Sequence, residues 1–331
     1  MAINLHGRSL LTLLDFSSLE IDYLLELSKN LKEKKRAGEM SQLLKGKSIV
    51  LIFDKPSTRT RCAFEVAVFS EGGQVTFLAN SHMGHKESIE DTAKVLGRYY
   101  DGIGFRGYDH HEVELLEKYS GIPVWNGLTD QYHPTQVLAD LMTLKEHVHK
   151  PLDKVKMIFV GDGRNNMARS LMIGAAKMGM QFVTLSPRSL WPDQDFMNRI
   201  IPIAAETSAH IQCLENIDEA VKGADAIYTD VWVSMGEEAE WEKRITLLKN
   251  YQVNTNMLEK TNNKDVVFMH CLPAFHDTKT EVGQQMKKQF GLDSMEVTDE
   301  VFQSRHSLVI EQSENRLHTI KAVILATIGN I

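Results

Sequence analysis

Cysteine is scarce in this chain of 331 residues: Cys62, Cys213 and Cys271 are its only three. An odd, widely spaced set without CxxC spacing excludes a disulfide framework and a zinc knuckle, and predicts a reducing compartment. Basic charge is also short, with 37 Lys and Arg against 44 Asp and Glu and a formal net charge of −7. That balance argues against general affinity for nucleic acid or anionic membranes, so any anion it binds must be held by a local basic site. Long apolar runs are missing, and none approaches the roughly 18 residues that span a bilayer. The short run Leu10–Leu14 is closed by Asp15 and lacks the basic flank and cleavage site of a signal peptide. These absences predict a cytoplasmic protein with neither nucleic acid nor membrane among its partners.

What is present is an ordinary globular composition, 43% hydrophobic and 24% charged, long enough to bury a full core and to form about two domains. Short β-branched or aromatic runs alternate with amphipathic stretches. Strands are expected at Ser48–Phe53, Val75–Leu78, Gly102–Phe105 and Ile122–Trp125, then at Lys156–Val160, Phe182–Leu185, Ala226–Thr229 and Val266–Met269. Helical spacing of apolar residues recurs in Thr58–Phe69, Ile89–Arg98, Glu112–Tyr119 and Pro134–His149. Ser88, with Asp91 three residues on, reads as a helix cap. Such alternation predicts an α/β protein with two similar domains, each a parallel sheet flanked by helices. The boundary is expected near Lys150-Pro151-Leu152-Asp153, giving domains 1–150 and 151–331. A last helix is expected over Glu314–Ile328, with Ile320, Val323, Ile324 and Thr327 on one face.

The densest chemistry follows the first strand, where Ser57-Thr58-Arg59-Thr60-Arg61 opens a helix. Ligands of open parallel sheets sit beyond the carboxyl ends of strands. A helix N-terminus there offers unpaired N–H groups and partial positive charge to a phosphate. Three hydroxyls add donors, and a guanidinium grips two phosphate oxygens at once. Ser57 alone would read as a helix cap; two arginines and three hydroxyls together favour an anion site. Lys45-Gly46-Lys47-Ser48 is no P-loop, since it precedes a strand and Ser41 stands where the first glycine belongs.

Further blocks follow in order: His133-Pro134-Thr135-Gln136, the run from Asp230 through Ser234-Met235-Gly236, His270-Cys271-Leu272-Pro273 and Glu314-Asn315-Arg316. With the basic turn, these five blocks resemble the carbamoyltransferase family, and the Asp230 to Gly236 run resembles its ornithine branch. The resemblance extends from about Leu10 to the C-terminus. It implies transfer of a carbamoyl group from carbamoyl phosphate to the δ-amine of L-ornithine, giving L-citrulline and phosphate, or the reverse in arginine breakdown. It implies no metal and no cofactor, and a C-terminal helix, about 314–331, that packs back on the first domain.

Residue by residue, the resemblance assigns carbamoyl phosphate to Ser57, Thr58, Arg59 and Thr60, to Arg106 and to His133 and Gln136. Cys271, Leu272 and Arg316 complete that set, with Arg61 bracing the helix. Arg106 and His133 aimed at the carbonyl oxygen would act as an oxyanion hole. Asn166, Asp230, Ser234 and Met235 match the ornithine contacts, with Asp230 offering charge-assisted bonds to an amine. Cys271, beside the reaction centre, would orient or deprotonate the δ-amine, which must be neutral to attack. Arg106, His133, Asp230 and Cys271 are thus the expected catalytic set. His82 matches a residue that the family contributes to a neighbouring subunit's site, so a homotrimer or a multiple of trimers is implied. The expected order is carbamoyl phosphate first, then ornithine bridging the two domains.

Two rivals are weighed by particular residues. A nicotinamide-dependent dehydrogenase would fit Val160-Gly161-Asp162-Gly163, but Asn166 replaces the third fingerprint glycine and Ser186-Pro187 replaces the ribose-binding acid. A putrescine carbamoyltransferase would not need the Ser234-Met235-Gly236 block, because a diamine has no α-carboxylate. His270-Cys271 with distant histidines lacks the spacing of a metal site.

Overall fold

The computed structural model describes residues 3–330 apart from 40, 56, 80 and 234–239. Two compact units emerge, Met1–Met142 with Glu314–Ile331, and Thr143–Ser313. In the first unit α1 (Ser18–Arg36), β1 (Ser48–Phe53), α2 (Thr58–Phe69), β2 (Gln74–Ala79), α3 (Ile89–Tyr99), β3 (Gly102–Arg106), α4 (His110–Ser120) and β4 (Val124–Leu128) precede α5 (Pro134–His147). The second unit carries β5 (Lys156–Val160), α6 (Asn166–Lys177), β6 (Gln181–Leu185), α7 (Gln194–Thr207), β7 (His210–Leu214), α8 (Ile217–Val221), β8 (Ala226–Thr229), α9 (Trp241–Leu248), α10 (Thr255–Lys260), β9 (Val267–His270), α11 (Glu281–Phe290) and α12 (Asp299–Phe302). Helix α13 (Val309–Ile328) closes the chain.

Both sheets are parallel, ordered β2-β1-β3-β4 and β7-β6-β5-β8-β9. Strand order reverses between β1 and β3 in one sheet and between β5 and β8 in the other. Beyond the carboxyl ends of such strands a crevice opens, because successive crossovers leave in opposite directions. The basic turn follows β1, and Arg106 ends β3; Asn166 follows β5, and Asp230 follows β8. Topology alone therefore gathers each group of named residues.

Val50, Ile52, Ile103, Phe105 and Val124 of the first sheet pack against Val113 and Leu116 of α4. Ile158, Val160, Val183, Ile227 and Phe268 form the equivalent layer of the second. The expected face of α13 is buried at Ile320, Val323, Ile324 and Thr327. Thr327 Oγ1 accepts a hydrogen bond from Trp125 Nε1 at 3.1 Å, and buried Lys321 pairs with buried Glu71 at 3.0 Å, fixing the part of this helix from Glu314 onward within the first unit.

Two expectations need correction. Glu314-Asn315-Arg316 does not open the last helix, which begins at Val309. Leu308 donates its N–H to Phe268 beside β9 and then accepts from Gln312, so the helix starts directly from that anchor. Strand β7 went unforeseen: His210–Leu214 is an edge strand with polar His210 and Gln212 among its residues, so no continuous apolar run announces it.

Candidate active site

In the first unit the turn after β1 folds as a capped helix start: Ser57 is the N-cap of α2, and its Oγ accepts from Thr60 N at 3.3 Å. Capping therefore coexists with the array of donors instead of replacing it. Thr60 is fully buried, and its Oγ1 receives Arg316 Nη2 at 2.7 Å and Arg106 Nη1 at 3.5 Å. Arg106 reaches it from an irregularity in the β3–β4 register between Phe105 and Arg106, the kind of break that re-aims a strand's last side chain. Arg61 pairs with Glu65 at 2.8 Å and lies over the Phe77 ring. Thr58 is exposed, and Arg59 is half-buried.

His133 precedes α5, whose first residue is Pro134; proline suits that position because its missing N–H would be unpaired there anyway. The imidazole is buried, and burial followed by the fields of Arg316, Arg106 and Arg59 pushes its pKa well below the usual histidine value. Burial, reinforced by three permanent cations, thus keeps this ring neutral, able to donate one N–H without carrying charge. One turn further, Gln136 Nε2 donates to buried Asp140 at 2.8 Å. That bond fixes the amide, since a carboxylate accepts only from the nitrogen end. Gln136 Oε1 is left as a buried acceptor without a protein partner among the described residues.

His82 is exposed, on a loop where its carbonyl accepts from the N–H groups of His85, Lys86 and Glu87. No hydrogen bond among the described residues joins its side chain to the arginine group.

The second unit collects groups of opposite character. Asp230 is buried after β8 and accepts from Cys271 Sγ at 3.1 Å, Val231 N at 2.8 Å and Asn165 Nδ2 at 3.3 Å. Burial raises its pKa, with His270, the Cys271 thiol and the Val231 N–H partly opposing. Cys271 follows β9, the strand paired with β8, which is why residues 41 apart meet. His270 Nδ1 accepts from Leu272 N at 2.8 Å, so a neutral ring carries its proton on Nε2, which lies 3.3 Å from Glu296 Oε1. Both members of that pair are fully buried. Leu272 has φ of 60°, a left-handed conformation uncommon for a side-chain-bearing residue; the His270 acceptor is what holds its N–H there.

Asp230, His270 and Cys271 bring one donor atom each within 4.8 Å. Spacing along the chain gave no hint of that triad, because the adjacency of β8 and β9 creates it. Both ring nitrogens of His270 already face protein partners.

Asn166 is the first residue of α6, and Asn165 caps that helix with Oδ1 accepting from Ala168 N at 2.7 Å. Asn165, Glu296 and Asp140 were not singled out from sequence, and His270 was named only within its block and as a rejected metal ligand. An asparagine beside the named one and a histidine beside the named cysteine were the available signals; the two acids had none. Ser234 and Met235 lie outside the described residues.

Residues 8–146 match the carbamoyl-P binding domain of aspartate/ornithine carbamoyltransferases, and residues 153–327 match the Asp/Orn binding domain of the same family. A relative from Clostridium perfringens (strain 13 / Type A), named a catabolic ornithine carbamoyltransferase, is 60% identical over 330 residues, covering 99% of this chain and 100% of the relative. An ornithine carbamoyltransferase of Limosilactobacillus reuteri (strain DSM 20016) is 55% identical over 332 residues, covering 99% of each. The solved structure of ornithine carbamoyltransferase from Pyrococcus furiosus superposes with a TM-score of 0.90 at 43% identity, over 100% of both chains.

Proposed function

The chain belongs to the aspartate/ornithine carbamoyltransferase family, and from that premise we infer that it transfers the carbamoyl group of carbamoyl phosphate to the δ-amine of L-ornithine, giving L-citrulline and phosphate. The observation that carries the reading is the set of three guanidinium groups, Arg59, Arg106 and Arg316, acting on one neutral imidazole, His133. Carbamoyl phosphate is an anion with a reactive carbonyl, and this group offers charge to the one and a neutral N–H to the other.

The roles follow from the donors. Ser57, Thr58, Arg59, Thr60 and Arg106 take the phosphate. Arg106, His133 and Arg316 stabilise the charge that grows on the carbonyl oxygen as the amine attacks. Gln136 Oε1 accepts from the carbamoyl nitrogen, as does the carbonyl of Leu272. On the ornithine side Asp230 binds an amine, Asn166, Ser234 and Met235 bind the rest of the amino acid, and Cys271 Sγ orients the attacking nitrogen. A C–N bond forms, the C–O bond to phosphate breaks, and the departing phosphate takes up the proton released by the neutral amine. The same groups serve the reverse direction by microscopic reversibility.

Binding is ordered, carbamoyl phosphate before ornithine, and the active unit is a trimer or a multiple of trimers. Exposed His82 suits donation to a neighbouring copy, and the exposed apolar side chains Val66 and Phe69 on α2 suit an interface between copies. The deciding experiment measures product formation with ornithine, putrescine and aspartate as acceptors, beside sedimentation of the native protein. Ornithine is expected to be turned over fastest by a trimer or larger assembly. Faster turnover of putrescine or aspartate overturns the substrate assignment, and a fully active monomer overturns the shared site.

A further inference from the structure

The turn after β5 holds a charged group that the reaction itself does not use. Asp162 is buried, with its side chain 6% exposed, and two arginines grip it. Arg164 donates to it from the backbone N, Nε and Nη2, each at 3.0 Å. Arg244, its side chain only 4% exposed, donates Nη1 to Asp162 Oδ2, the oxygen that also accepts from Arg164 Nη2.

The placement of these groups matters more than their charge. Asp162 O accepts from Asn165 N at 3.2 Å, which closes the turn leading into α6. The turn has no space to relax: a Cβ on Gly163 would lie 2.6 Å from Thr184 and 2.9 Å from the carbonyl of Leu190. Asn165 then caps α6 and reaches Asp230, while Asn166 begins the helix. Arg244 stands on α9, the helix that follows the chain leaving β8 through Asp230 and Val233. One carboxylate therefore joins the start of α9 to the turn that presents both asparagines.

We propose that the Asp162–Arg244 pair positions the ornithine half-site, locking α9 to the Gly161–Asn166 turn so that Asn165 and Asn166 keep their register with Asp230. The inference rests on the assignment of this unit to ornithine. Neither residue touches the reacting atoms; each acts through the asparagines and Asp230. Arg164 contributes less, because its side chain is 43% exposed and water can replace what it supplies. Losing Asp162 takes from buried Arg244 a carboxylate partner, and losing Arg244 leaves Asp162 to the more exposed Arg164; either loss weakens the link between α9 and the turn, which then shifts.

The test compares Asp162→Asn, Arg244→Gln, the double variant and Arg164→Gln in the full-length protein. Asp162→Asn and Arg244→Gln are expected to raise KM for ornithine about 10- to 100-fold, the scale of a small misplacement made at a distance. KM for carbamoyl phosphate stays at the wild-type value, and kcat falls less than KM rises. The double variant is no worse than the weaker single, because both remove one interaction. Arg164→Gln has the smallest effect. Should Arg244→Gln fail to fold, Asp162→Asn and the conservative Arg244→Lys carry the test, with Arg244→Lys falling between wild type and Asp162→Asn. An unchanged KM for ornithine, equal rises in both KM values, or multiplying single effects overturns the proposal. A wild-type protein that does not carbamoylate ornithine overturns the underlying assignment instead, before any variant is made.

Discussion

The cationic group of the first unit and the acidic group of the second solve the same problem from opposite ends. Each must keep a titratable side chain dry and useful. His133 is held neutral by burial reinforced by three arginines. Asp230 is pushed toward neutrality by burial, and the donors that reach it are a thiol, a side-chain amide and a backbone N–H. In the proposed site the first group offers its guanidinium charge to a phosphate, and the second offers its acid to an amine. On that assignment each substrate would complete the charge complementarity of its own half, favouring the right ion over water.

The sharpest way to break that comparison is to remove a cation that also serves the carbonyl. Arg106→Ala is expected to lower kcat by about 10²- to 10³-fold, as for the loss of one oxyanion donor; near-normal turnover would refute its role. Arg59→Ala should be milder. It removes one charge-assisted contact of about 1.5–3 kcal/mol, hence about 10- to 150-fold in kcat/KM for carbamoyl phosphate, and an effect confined to ornithine would reverse the assignment of the two units.

On the acidic side, Asp230→Asn is expected to raise KM for ornithine by about 10-fold or more while leaving carbamoyl phosphate binding intact. The same variant should be more heat-stable at neutral pH. A folded-state pKa above the ordinary 3.8 means that Asp230 contributes stability below that value and loses it as pH rises through the raised pKa. At neutral pH the charged carboxylate is therefore a liability that asparagine removes, and a lower melting temperature for Asp230→Asn would contradict this.

The smallest effect concerns His133, where the sign is opposite. Its folded pKa lies below the ordinary 6.5, so its contribution to stability is present above that value and is lost as pH falls. Acid should weaken the first unit's histidine and base the second unit's aspartate. A His133 NMR titration that stays neutral between pH 6 and 8 is the expected outcome; protonation in that window would break the contrast.

What the sequence makes legible is whatever lies within one turn or at one strand's end. Ser57 to Arg61 sit side by side, and Arg106 and Asp230 end or follow strands whose apolar character is plain. The strand and helix alternation also shows both parallel sheets, apart from polar edge strand β7. What stays hidden is pairing across the fold. Arg316 meets Thr60 across 256 residues, Arg244 meets Asp162 across 82, and His270 meets Glu296 from another loop. The packing of helices and loops around the sheets decides those meetings, and no spacing rule encodes it. The resemblance supplied Arg316 by its motif, yet the partners that orient each group came only from geometry.

One bond has a consequence for selectivity. Because Asp140 takes the nitrogen end of the Gln136 amide, that amide cannot flip to suit another ligand. Acetyl phosphate has the same phosphate and nearly the same shape, but a methyl group in place of NH₂. Bound in that position it would leave Gln136 Oε1 dry and facing carbon, a penalty that falls only on the impostor. With Gln136 in its proposed role, a carboxylate that never touches the substrate would thereby favour carbamoyl over acetyl phosphate.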